Sequence, residues 1–122
     1  MSIVLVKLTL SDKLLEDERL QEETQYLLED IKQEVEVEDA RLAPIENLEK
    51  HTKSLGGFLL GVLTAEVNLK NFKSLMRFLS VRLQGKGIEL KVTANGKSLT
   101  VKASDQAELL AAIKAAQDFI GE

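Results

Sequence analysis

Apolar and polar residues along this chain switch between two periods, and the switches mark its elements. Ile3-Val4-Leu5-Val6-Lys7-Leu8-Thr9-Leu10 is β-branched and almost continuously apolar at its start, which predicts a central strand with both faces covered. Ser11 and Asp12 break the run. From Asp17 to Gln33 the apolar positions Leu20, Leu27, Leu28 and Ile31 form a narrow stripe on an otherwise acidic sequence, predicting a helix that shows most of its surface to water. Val35 and Val37 alternate with Glu36 and Glu38, the period of a half-buried strand, and Pro44 closes that segment. Residues 45–54 carry no periodicity and predict a loop.

The stretch KSLGGFLLGVL at residues 53–63 joins three glycines to an apolar block. Its Gly57-x-x-x-Gly61 spacing suits a helix whose small residues let another backbone come near. Phe72, Leu75, Met76, Leu79 and Leu83 recur at steps of three or four, while Lys70, Lys73 and Arg77 fall on another face. Asn68 and Asn71 divide this region into helices predicted at 55–66 and 69–84, ended by Gly85 and Gly87. In IELKVTANGKSLTVKA, Asn95-Gly96 is the preferred pair for a two-residue type I′ turn. That turn sets Val92 against Leu99, Leu90 against Val101, Ile88 against Ala103 and Glu89 against Lys102, so the apolar residues share one side. Ser104 or Asp105 then caps a last helix, with Glu108 placed for a capping box, and Leu109, Leu110, Ile113, Ala116, Phe119 and Ile120 supply its buried face before Gly121.

The predicted order is β-α-β-α-β-β-α: one α+β domain over residues 1–122, in two layers, with a four-stranded, mostly antiparallel or mixed sheet under three to four helices. A right-handed crossover is expected for the first strand–helix–strand unit if its strands lie parallel. The 122 residues are enough for one cooperative core. Hydrophobic content of 44% beside 30% charged matches a globular domain. The chain has no cysteine, which rules out disulfides and thiol chemistry. Its first residues lack a basic leader and a small-residue cleavage site, so a cytoplasmic location is expected. The uncharged run from Leu55 to Ala65 falls well short of the ~20 residues a membrane span needs.

Charge is distributed unevenly. Between Glu16 and Asp39 eleven acidic residues face only Arg19 and Lys32, whereas Ala40 to Glu122 holds twelve basic against eight acidic residues. Within a net charge of −4, such a dipole suits docking to charged protein surfaces better than binding a nucleic-acid backbone. The candidate surfaces are the acidic helix face of Glu18, Glu22 and Glu29, the basic stripe of Lys70, Lys73 and Arg77, and the glycine segment with Gly57 and Gly61. Those two glycines are candidates for close packing, either inside the domain or across a contact between copies.

Reactive chemistry finds little support. Gly56, Gly57 and Gly61 match neither phosphate-loop spacing. His51, the only histidine, sits among charged neighbours without an orienting partner or companions at ligand spacing. Adjacent acids such as Glu22 with Glu23, or Glu29 with Asp30, point about 100° apart on a helix and lie in a solvated segment. There is no calcium loop and no RNA-binding signature. The expectation is a protein without catalytic residues, cofactor or metal, and without nucleic-acid or membrane partners.

The layout also resembles a known family. The first strand, the acidic helix, the segment ending near Pro44, the opening Leu55-Gly56-Gly57, the run LMRFLSVRL and the hairpin VTANGKSLTVKA followed by a short helix are together similar to the effector-associated constant component family of small bacterial domains. The resemblance implies a non-catalytic adaptor in a bacterial conflict system. Its protein partners would be an effector, such as a trypsin-like or caspase-like peptidase, and an NTPase regulator. A domain of another class, binding a regulatory small molecule between sheet and helices, is the alternative expectation.

Overall fold

The strand that opens the chain lies in the middle of the sheet. The computed structural model describes residues 3–12, 14–45 and 54–121. Along them run β1 (Ile3–Ser11), α1 (Asp17–Glu34), β2 (Asp39–Pro44), β3 (Ser54–Leu55), β4 (Phe58–Asn68), α2 (Leu69–Arg82), β5 (Gly87–Ala94), β6 (Lys97–Ala103) and α3 (Gln106–Ile120). Among the described residues the strands form one antiparallel sheet in the order β2-β4-β1-β5-β6, with the two-residue β3 pairing with β4. Both β1 and β2 run antiparallel to β4, so they point the same way with β4 between them. By the same logic β4 and β5 are parallel and straddle β1. Two interlocked split β-α-β units of this kind make the ferredoxin-like arrangement, here extended by β6 and α3.

Alternation places the core on one side. Val4, Val6, Leu8 and Leu10 of β1 are buried with Leu63, Ala65 and Val67 of β4 and with Ile88, Leu90 and Val92 of β5. The helices lay their apolar stripes on this face: Leu20, Leu27, Leu28 and Ile31 from α1, Phe72, Leu75, Met76 and Leu79 from α2, and Leu109, Ala112, Ile113 and Ala116 from α3. α1 lies over β2 and β4, α3 over β5 and β6, and α2 touches both other helices between them. At the helix ends side chains cap the backbone, Asp105 as predicted and Asn68 in addition. The Asn68 side chain accepts from Asn71 N–H at 2.8 Å and Asp105 Oδ1 accepts from Glu108 N–H at 2.8 Å. Gly121 closes α3 with a left-handed φ of 85°.

The Asn95-Gly96 hairpin takes the register derived above, with Val92 opposite Leu99, Leu90 opposite Val101, Ile88 opposite Ala103 and Glu89 opposite Lys102. Both turn residues have positive φ, 54° and 78°, as type I′ demands.

The segment predicted as a helix at 55–66 is instead the β3–β4 hairpin. Gly56 and Gly57 both have positive φ, 63° and 85°, and form a second two-residue turn joining Leu55 to Phe58. Gly57 therefore is a turn residue with open space around it and not a packing contact. Gly61 is close-packed, but from within a strand: with φ at 75°, a Cβ placed on it would lie 2.8 Å from the Leu10 carbonyl oxygen and 3.4 Å from Leu20 Cδ2. The β4 backbone bends here, past the last β1 pair at Thr9 and Val62, and the Gly61 N–H donates to Gln21 Oε1 of α1 at 2.8 Å.

Two smaller expectations also shift. The acidic helix continues through Glu34, so Val35 is its buried C-cap and the following strand starts at Asp39, not on Val35 and Val37. β1 is central but covered on one face only, since all three described helices share the other side, and Ile3 and Leu5 are left 40% and 48% exposed.

Candidate interaction surfaces

The molecule has two outward surfaces of different character, the helix layer and the uncovered face of the sheet. On the helix layer Glu18, Glu22 and Glu29 are all exposed along α1, and Lys70, Lys73 and Arg77 are exposed along α2. The structure does not merge them into one site. Arg19, inside the acidic run, bridges Glu22 at 2.7 Å and Glu23 at 2.9 Å, so part of that face is internally neutralised. Such exposed pairs add little stability, ~0.3–0.5 kcal/mol for helical neighbours. The two helices are tied by Arg82 Nε and Asp30 Oδ2 at 3.0 Å. The acidic and basic surfaces therefore lie side by side over the core, giving the helix layer a lateral dipole.

The opposite face of the sheet follows directly from the pairing registers. One row across it reads Asp39, Glu66, Leu5, Thr93 and Ser98, and the next reads Arg41, Thr64, Lys7, Lys91 and Thr100. All ten are exposed or half-buried. The third row holds Val62, Thr9, Glu89 and Lys102, of which Val62 is buried at 7% exposure. Arg41 bonds Asp39 and Glu66, the latter at 3.2 Å. Hydrogen bonding to Glu66 first, then to Asp39, raises the guanidinium pKa above its ordinary value. Leu5 sits among these polar groups with nearly half its surface in water. It is an apolar residue on a central strand that the other described residues leave half exposed.

Near one end of the sheet, a cleft of about 560 Å³ lies between Ser11, Glu89, Lys102 and the start of α3. Glu108 Oε1 accepts from the Ser104 hydroxyl at 2.6 Å and the Ser104 N–H at 2.7 Å, reaching back one residue beyond the cap. These bonds, the hydroxyl first, hold the Glu108 carboxyl below its ordinary value of 4.5. A depressed carboxyl pKa contributes stability above the unfolded value and loses it as pH falls through the folded one. The stability advantage of the native chain over Glu108→Gln should thus be constant near neutrality and shrink as pH drops below about 4.5. Urea midpoints of both proteins across that range measure it, and a constant difference would exclude this role.

No group of three or more His, Asp or Glu suited to a metal occurs among the described residues. No described helix is long and apolar enough to cross a membrane. The reading of His51 lies outside the described residues. The open face itself was not apparent from periodicity. Its signal was the alternation of Leu63-Thr64-Ala65-Glu66-Val67-Asn68, which places Thr64 and Glu66 beside Leu5 and Lys7. Comparison of the chain with protein-family models, with curated proteins and with solved structures finds no match.

Proposed function

We propose that this chain is a non-catalytic interaction module that couples an effector, such as a trypsin-like or caspase-like peptidase, to its regulator in a bacterial conflict system. The role is the one implied by the resemblance to the effector-associated constant component family. The single observation that supports docking as its mode of action is the sheet face left bare by the helices, with Leu5 and Ile3 exposed on the central strand at 48% and 40%. A fold of this type does not prescribe an activity, and an exposed apolar residue ringed by charged and hydroxyl side chains has the make-up of a contact surface, apolar at its centre and polar at its rim. The lateral dipole of the helix layer supplies a second surface, so two partners can be held on opposite sides of one rigid sheet.

Reading the genes that flank this one, and measuring binding of the purified chain to any peptidase or NTPase they encode, tests the proposal. At least one should bind the purified chain, and Leu5→Asp, which sets a charge in the apolar centre while leaving the core untouched, should weaken binding by tenfold or more. Absence of binding to either, or peptide or NTP hydrolysis by this chain alone at an enzyme-like rate, would reject it.

A further inference from the structure

The second row of the open face contains an arrangement that folding alone disfavours. Lys7 and Lys91 stand directly opposite each other on β1 and β5, where cross-strand Cβ atoms are about 4.5–5.5 Å apart and like charges repel. Among the described residues neither lysine has a carboxylate within ion-pair distance: Glu66 and Asp39 bond Arg41, and Glu89 stands across from Lys102 in the next row. Beside the pair lies a hollow of about 210 Å³ lined by Leu5, Lys7, Arg41, Thr64, Glu66 and Lys91. Thr64 lines it through its accessible atoms only, its hydroxyl oxygen being closed off from solvent. A repelling pair and a hollow thus coincide, and both are met by one anion.

Its chemistry follows from charge and size. Arg41, Lys7 and Lys91 against Asp39 and Glu66 leave a net charge of +1 (three cations less two anions), which a carboxylate neutralises and a phosphate dianion would overshoot. The hollow is smaller than the ~300–1,000 Å³ of small-molecule pockets, while Leu5 and Ile3 extend the contact surface along the strand beyond it. A side chain borne on a larger partner meets both conditions. Two copies of this chain joined face to face about this row would bring four lysines together, so the partner is a different chain.

Resting on the interaction-module reading, we propose that Lys7 and Lys91 receive the carboxylate of an Asp or Glu in an acidic partner segment, whose neighbouring apolar residue covers Leu5. The test is a titration of the isotope-labelled full chain with the capped peptide acetyl-Leu-Glu-Leu-amide, its Gln counterpart and sodium butyrate, followed by amide chemical shifts. The Glu peptide should produce saturable shifts at Leu5, Lys7, Thr64 and Lys91, with the Gln peptide at least fivefold weaker. Lys7→Gln and Lys91→Gln should each weaken the Glu peptide by a similar factor, and Lys91→Gln without ligand should raise Tm by about 2 °C as the repulsion is relieved.

Equal shifts with the Gln peptide, butyrate binding tighter than the Glu peptide, indifference to both lysine substitutions, or a fall in Tm for Lys91→Gln would each overturn the proposal. Peptide binding without binding of the neighbouring gene products would sink effector coupling alone, and the reverse would sink the carboxylate site alone.

Discussion

Gly61→Ala should destabilise the protein by about 3 kcal/mol or more, because two independent costs fall on one atom. The residue sits in β4 with φ at 75°, where an L side chain costs roughly 1–2 kcal/mol. The added Cβ would also meet the Leu10 carbonyl oxygen at 2.8 Å, and backbone cannot swing aside as the tip of a side chain can. Any shift that relieves the contact pulls on the Gly61 N–H bond to Gln21 Oε1, at 2.8 Å, and Gln21 is itself buried, with its Nε2 already lacking a partner among the described residues. Leaving that N–H unpaired adds about 1–3 kcal/mol. The matched control is Gly57→Ala, which has positive φ at 85° but nothing within 4 Å of a Cβ and should show only the conformational part. Urea unfolding of the two variants separates the terms. Equal losses would mean that close packing at Gly61 contributes nothing.

That glycine also shows why part of the fold was hidden in the sequence. Gly-x-x-x-Gly and an apolar run are compatible with a helix face, and nothing local excludes it. The deciding facts are nonlocal: β1 and β2 each need β4 as their antiparallel neighbour, and the Gly56-Gly57 pair turns the chain back in the same manner as Asn95-Gly96 does later. The later hairpin was legible because turn chemistry and apolar register agreed between two strands adjacent in sequence. The α2 helix was legible from its stripe and from Asn68, read as a break between elements and found to be the cap.

The candidate surfaces divide in the same way. Glu18, Glu22, Glu29, Lys70, Lys73 and Arg77 were readable as exposed because helical periodicity alone decides it. The Lys7–Lys91 pair was not, since residues 84 positions apart become neighbours only through sheet order. The near-continuous apolar start of β1 misled in a useful direction. Ile3 and Leu5 suggest a strand covered twice, and the described part of this chain supplies one cover. On the interaction-module proposal, the second belongs to a partner.

Phe72→Ala should cost about 3–5 kcal/mol, the range for truncating a buried aromatic. Phe72 is 1% exposed, among the largest fully buried side chains, and stands in the first turn of α2. It shares the core with Leu75, Met76 and Leu79, the residues that hold α2 between α1 and α3 over the sheet. Against a typical total of 5–15 kcal/mol, the loss would lower Tm by on the order of 12–20 °C for a domain of this size. Phe72→Leu, which fills most of the same volume, should cost under ~1.5 kcal/mol. The pair of variants also bears on function, because Lys70 and Lys73 flank Phe72 on the outward side of the same turns. If α2 acts as a docking surface through its basic stripe, Phe72→Leu should leave partner affinity unchanged, whereas Lys70→Glu with Lys73→Glu should reduce it at unchanged Tm. Calorimetry and binding measured on the same samples give both quantities. A Tm drop for Phe72→Ala of only a degree or two would show that α2 is not anchored through this ring.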